Sequence, residues 1–226
     1  MRLLSLAAVA AASLALAAPA NPDSIFDGKT THGWKAKNAK NSKWAVGTAE
    51  IDGKHADKFF FTAGPGDLVN VEAHSSDLYT EAKFGDCTVE VEFMIPKGSN
   101  SGVYLMGEYE VQILDTYGKA DADLKPGDHG GIYTFAAPKT NAGKKSGEWQ
   151  KFVIDFQAPK FDGDKKVSNA KFIKVTLNGT VIHENVEAKT VTPGGLTGKE
   201  MAEGPLMFQG DHGAVSLRNI KVTARK

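Results

Sequence analysis

The residues best equipped for chemistry lie in one stretch, Ser99-Asn-Ser-Gly-Val-Tyr-Leu-Met-Gly-Glu-Tyr-Glu-Val-Gln-Ile-Leu-Asp115. From Tyr109 to Leu114 apolar and polar residues alternate, the mark of a β-strand with two unlike faces. Glu108, Glu110 and Gln112 fall on one face, and Tyr109, Val111 and Ile113 on the other. Same-face neighbours stand about 7 Å apart along a strand, so two carboxylates and an amide are set in register. A carboxylate buried beside another acid gains a raised pKa and can take a proton near neutrality. An amide or a cation can hold the oxyanion that results. Asp115 belongs to the apolar face by strict alternation, but a one-residue bulge at Ile113-Leu114 would turn it toward Glu110 and Gln112. The competing reading of the same residues is a solvated strand face followed by a turn-initiating Asp.

Two of the six histidines stand out. His129 and His212 each sit in an Asp-His-Gly triplet at a strand edge, where the Asp either orients the imidazole or caps a turn. His32, His55 and His74 lie in polar loops, and His183 is expected to face solvent from a hairpin strand. Neither paired cysteines nor a His-x-x-x-His spacing is present, so no strict metal motif exists. A scattered set of Asp, Glu, Gln and His would suit a hard divalent ion. No phosphate loop, nucleophile elbow or dinucleotide fingerprint occurs. The single cysteine, Cys87, lies in an alternating run and reads as a small buried residue. Trp149, at the start of another alternating run, reads as core.

The elements that must position these groups are strands. Cys87 to Ile95, Trp149 to Phe156, Lys171 to Leu177 and Thr180 to His183 all alternate. Asn178-Gly179 is a strong hairpin signal, and Asp52-Gly53 a second one. Only Asn185 to Val191 could form a helical turn. Many short strands divided by turn chemistry, without repeat or linker, predict one all-β domain, an antiparallel two-sheet sandwich or a jelly roll.

The chain has 226 residues, no net formal charge and a pI near 7.0, which argues against nucleic acid and anionic membrane partners. Met1 to Ala20 has the form of a signal peptide: Arg2, an apolar run from Leu3 to Ala18, and small-residue cleavage sites. The run is short for a membrane span and none follows. The expected organisation is a leader at 1–20 and one domain at 21–226, exported to the periplasm or secreted.

Several motifs in order carry a resemblance. Ile25-Phe-Asp-Gly-Lys, Gly33-Trp34, Phe93-Met-Ile-Pro, Ser99-Asn-Ser-Gly-Val-Tyr-Leu and Glu110-Val-Gln-Ile-Leu-Asp115 are followed by Gly130-Gly-Ile-Tyr133, Gly147-Glu-Trp149 and Leu177-Asn-Gly179. Gly204-Pro-Leu-Met-Phe-Gln209, His212 and Val215-Ser-Leu-Arg-Asn-Ile220 close the series. Together they resemble the 3-keto-disaccharide hydrolase family, from about Ser24 to Val222. The resemblance implies a concanavalin A-like jelly roll and an exported enzyme acting on sugars oxidised at C3. In such a sugar the ketone acidifies the C2 proton, and removing that proton gives an enediolate that can expel the group at C1. Glu110, Gln112, Asp115 and His129 are the expected catalytic residues. Asn100, Tyr104, Tyr133, Gln209, His212 and Arg218, which stand in the matching motifs, are expected to bind the sugar. A divalent cation near Glu110, Asp115 or His129 would suit the enediolate. Two other readings use the same residues: a lectin-like module without catalysis, and a retaining glycosidase, which needs two carboxyl groups roughly 5–5.5 Å apart.

Overall fold

The structure, a computed structural model, describes residues 24–225. The expected leader lies outside the described residues. The strands build two main sheets and a small ribbon, and every strand pairing is antiparallel. The smaller main sheet has the order β1 (Trp34–Ala36), β5 (Leu78–Thr80), β14 (Met207–Phe208), β7 (Asn100–Leu105), β8 (Tyr109–Leu114). The larger runs β13 (Thr180–Ala188), β12 (Ala170–Leu177), β9 (Gln150–Gln157), β6 (Cys87–Met94), β15 (Val215–Ala224), β4 (Asp67–Asn70), β2 (Trp44–Ile51), β3 (Phe59–Ala63). The ribbon pairs β10 (Lys160–Asp162) with β11 (Lys165–Ser168). This is the expected jelly-roll sandwich.

Period-two patterning explains the layering. In β6 Cys87, Val89, Val91 and Phe93 point inward while Thr88, Glu90 and Glu92 are half-exposed. β9 repeats the pattern with Phe152, Ile154 and Phe156. These side chains meet Leu78, Val103, Leu105, Tyr109, Val111, Ile113 and Phe208 of the smaller sheet in one core. Phe93 stacks on Phe152 at 4.9 Å, and Tyr109 reaches across to Phe156 at 5.5 Å. Burying each such aromatic contributes about 1.5–3 kcal/mol, so the inner face of β8 is strongly pinned. Its outer face is thereby pinned too, because a one-residue slip would exchange the two.

Asn178 and Gly179 both adopt positive φ, 53° and 83°, as a two-residue hairpin between β12 and β13 requires. Asp52 opens the longer loop from β2 to β3 and accepts from Lys54 N at 2.7 Å. Cys87 is buried, and burial pushes its thiol up to about 12. Trp149 packs against a smaller cluster that includes Ala49, Phe59, Val69 and Met94.

Two expectations fail. Asn185 to Ala188 extends β13 rather than forming a helical turn, because Ala170 to Phe172 of β12 pair with Val186 to Ala188. Among the described residues the helical turns are 3-10, at Ala39–Asn41 and Asp121–Asp123. His183 is buried, not solvated: the Asp128–Gly130 turn folds onto β13, and the Gly130 carbonyl lies 2.8 Å from His183 Nε2.

Candidate active site

The pairing of β7 with β8 sets Tyr104 opposite Glu110 and Gly102 opposite Gln112. Val103 and Val111 belong to the core, so Asn100, Gly102, Tyr104, Glu110 and Gln112 share the outer face. Gln209, following β14, joins that face and donates its backbone N–H to Gly102 O at 3.0 Å. Along the other edge of β8, Tyr133 N donates to Glu110 O at 3.1 Å, which brings Tyr133 alongside.

An ordinary outer face would be wet. Here Glu110 is 1 % exposed and Tyr104 1 %. The Gln112 amide, oriented by its neighbours, places its nitrogen 3.1 Å from Ser101 O and 3.3 Å from Glu110 Oε1. The carboxyl lies over Gly102, where a Cβ would stand 2.1 Å from Glu110 Oε1. A side chain there would displace the acid.

Burial pushes the Glu110 carboxyl up to about 8. The Tyr104 hydroxyl beside it pulls downward, and the charges of Asp211 and Asp77 push it further up. Tyr104 itself is held protonated by burial and by Glu110. Its hydroxyl donates to Pro193 O at 3.2 Å.

The facing wall was not legible in the sequence. Asp77, just before β5, accepts from Gly210 N at 3.1 Å and sits 3.5 Å from Lys37 Nζ. Its carboxyl is raised by burial. His212 Nδ1 lies 2.5 Å from Asp211 Oδ1, so this Asp does orient its His. Asn70 anchors the loop from beneath: its Nδ2 donates to Gly210 O at 2.9 Å and Gly213 O at 2.8 Å. Two amide oxygens on this face, Asn100 Oδ1 and Gln209 Oε1, are buried without any hydrogen-bond partner. An unmade hydrogen bond of that kind is costly, and a bound hydroxyl would satisfy each one.

Three expected site residues lie elsewhere. The β7–β8 register runs unbroken to Leu114, so no bulge turns Asp115 inward; its Oδ2 instead accepts from Gly98 N at 2.8 Å. His129 is a core histidine. Its Nδ1 accepts from Leu114 N at 3.1 Å, its Nε2 lies 3.2 Å from Gln150 Oε1, and Phe93 and Phe152 flank the ring. Burial lowers it to about 4, which keeps it neutral. Asp128 ignores it and pairs with Lys119 at 2.7 Å. Arg218 stands in the larger sheet, donating to Glu92 at 2.8 Å and covering the Trp149 ring at 3.8 Å. Glu108, though in phase with Glu110, is committed to the 192–198 segment.

Glu110, Asp115 and His129 lie apart from one another, over Gly102, at Gly98 N and in the core. Among the described residues no group of three or more His, Cys, Asp or Glu side chains is arranged to hold a metal.

With this geometry in view, the comparisons decide the family. Residues 21–223 match the family described as a 3-keto-alpha-glucoside-1,2-lyase-like domain. The chain belongs to that family. A 3-keto-disaccharide hydrolase of Bacteroides thetaiotaomicron is 27 % identical over 155 residues, which cover 58 % of this chain and 50 % of that protein. The match thus spans about half the length of that curated relative. A solved Parabacteroides distasonis protein with a provisional glycosyl hydrolase name is 28 % identical, with a TM-score of 0.66 over 90 % of this chain and 84 % of its own. A second from that organism, 17 % identical with a TM-score of 0.62 over 89 % and 93 %, shares the fold. Among the described residues no helix is long and apolar enough to cross a membrane.

Proposed function

We propose that this member of the family is an exported enzyme that cleaves the glycosidic C–O bond of 3-keto-glycosides. One observation carries the reading: a single carboxyl, Glu110, is buried against an amide and a phenol, and its proton affinity is raised close to neutrality. A general base works best with its pKa near the working pH.

Glu110 takes the C2 proton, leaving the electron pair in the C2–C3 enediolate. The Gln112 amide and the Tyr104 hydroxyl, both beside the Glu110 carboxyl, would turn to donate to the enediolate oxygens, and the unpaired acceptors of Asn100 and Gln209 would hold sugar hydroxyls. The enediolate collapses with loss of the C1 substituent, which leaves as an alcohol after gaining a proton. Water adding at C1, with a proton returned to C2, completes hydrolysis. No step requires a cation.

The lectin-like reading expects solvated carboxylates, and Glu110 is not solvated. The retaining-glycosidase reading draws its second carboxyl from Asp115, which points to Gly98 instead.

The test compares a 3-keto-glucoside with its unoxidised glucoside, each with and without a chelator. Turnover of the keto substrate alone is expected, with exchange of its C2 hydrogen in deuterated solvent. Glu110→Gln should lower turnover by about 10²–10⁴-fold with the fold kept. Near wild-type turnover by that variant would remove Glu110 from the role, and loss of activity with chelator would restore the cation. Export is checked by the N-terminal sequence of the mature protein, which should start near residue 21.

A further inference from the structure

We infer that Glu108 is a positioning residue: it latches the 192–198 strap over the outer face of β7 and β8 and so holds Tyr104 against Glu110. Only the kinetic arm of the test below depends on the proposed activity.

The strap crosses the face as a string of named contacts. Thr192 Oγ1 accepts from Glu110 N at 3.1 Å and donates to Glu108 O at 2.9 Å. Pro193 O accepts from the Tyr104 hydroxyl, and Gly194 lies so close that a Cβ there would be 2.8 Å from that oxygen. Gly195 O accepts from Lys37 Nζ at 3.3 Å, and the same ammonium faces Asp77. The strap then returns to β8. Thr197 N and Oγ1 donate to Glu108 Oε1 at 2.7 and 2.6 Å, and Gly198 N donates to Oε2 at 3.0 Å.

A carboxylate only 4 % exposed would be costly if these three donors did not satisfy it. Backbone bonds from Thr192 N to Glu108 O at 2.9 Å and from Leu196 N to Gly107 O at 2.8 Å hold the strap beside the latch, and the Glu108 carboxylate is its charged anchor. Its apolar anchor is Leu196, and Gly194, Gly195 and Gly198 allow other backbone paths. Gly195 is required at the latch: a Cβ there would lie 2.2 Å from Glu108 Oε2 and 3.3 Å from Gly107 O.

Two variants open the latch from opposite sides. Glu108→Gln replaces one accepting oxygen by a donor that faces Gly198 N, and Gly195→Ala leaves the charge but fills its space. Charge-assisted hydrogen bonds of this kind change an opening equilibrium by roughly tenfold or more. Three readouts follow. Trypsin cleavage after Lys199 in the native protein should quicken by about that factor in both variants. Water should then reach Glu110, which faces Tyr104, Asp77 and Asp211, so its titration should move toward the ordinary carboxylate range by about a unit or more. This is read without substrate, by carbon-13 NMR of labelled glutamate with Glu110→Gln as the assignment control. In kinetics the pH midpoint of kcat/KM should move the same way, and Glu108→Asp should restore part of the shift. Slow cleavage with unmoved titration in both variants would overturn the latch. Quickened cleavage with unmoved titration would also overturn it, since the strap would then not govern Glu110. Moved titration in a protein without keto-glycoside turnover would uphold the latch and reject the activity.

Discussion

At the scale of single residues, Glu110 and His129 show how environment assigns roles. Both were candidates for proton transfer, and both are buried. The imidazole is neutral at rest and both its nitrogens are committed, so it acts as a packing group with two hydrogen bonds. The carboxyl is protonated at rest because burial, helped by the charges of Asp211 and Asp77, outweighs the downward pull of the Tyr104 hydroxyl. With a pKa near 8, only roughly a tenth of it is ionised at pH 7. If it is the base, kcat/KM should rise with pH and level off above about 8. A pH–rate profile checks this. A limb placed near pH 4.5 would mean that the group titrating in the reaction is a solvated acid.

At the scale of elements, the strand pair β7–β8 is the device. The alternation from Tyr109 to Ile113 was readable because its inward residues had to meet a core. Once they do, Glu110 and Gln112 have one place to go. The partner strand was less readable. Gly102 could be seen as a strand glycine, but not as the floor on which the Glu110 carboxyl rests. Gly102→Ala is therefore expected to push the carboxyl aside while β7 keeps its pairing, because the clash is with the end of a flexible side chain. Displacing a reacting group by about 1 Å costs on the order of 10²-fold, so kcat/KM should fall by about that much with a nearly unchanged melting temperature. A drop in both together would mark the position as structural only. Arg218 teaches the converse. It stands in a motif that matches the family, yet its strand belongs to the other sheet, and only the topology reveals that.

At the scale of the whole molecule, the fold class was legible because many short alternating strands with Asn-Gly and Asp-Gly turns leave few other options. The facing wall of the site was not. Asp77, Lys37 and Asn70 are distant in sequence from Glu110, and no local pattern marks them; the sandwich alone brings them together. The same assembly makes stability depend on pH in two opposed ways. His129, and His183 with it, binds protons less readily folded than unfolded, so between about pH 4 and 6.5 the unfolded chain holds more protons and stability rises with pH. Glu110, with Asp77 and Asp67 in the same direction, binds protons more readily folded, so stability falls as pH climbs from the ordinary carboxylate range through about 8. The native protein should therefore be most stable in mildly acidic solution. Melting temperatures of wild type and Glu110→Gln, taken from pH 4.5 to 9, isolate one group. The variant has no carboxyl to ionise, so its advantage over wild type should be small at pH 4.5, widen steadily, and stop widening above about pH 8. A constant offset across that range would mean that Glu110 titrates alike in the folded and unfolded chain. In that case the raised proton affinity on which its role as base depends would be lost.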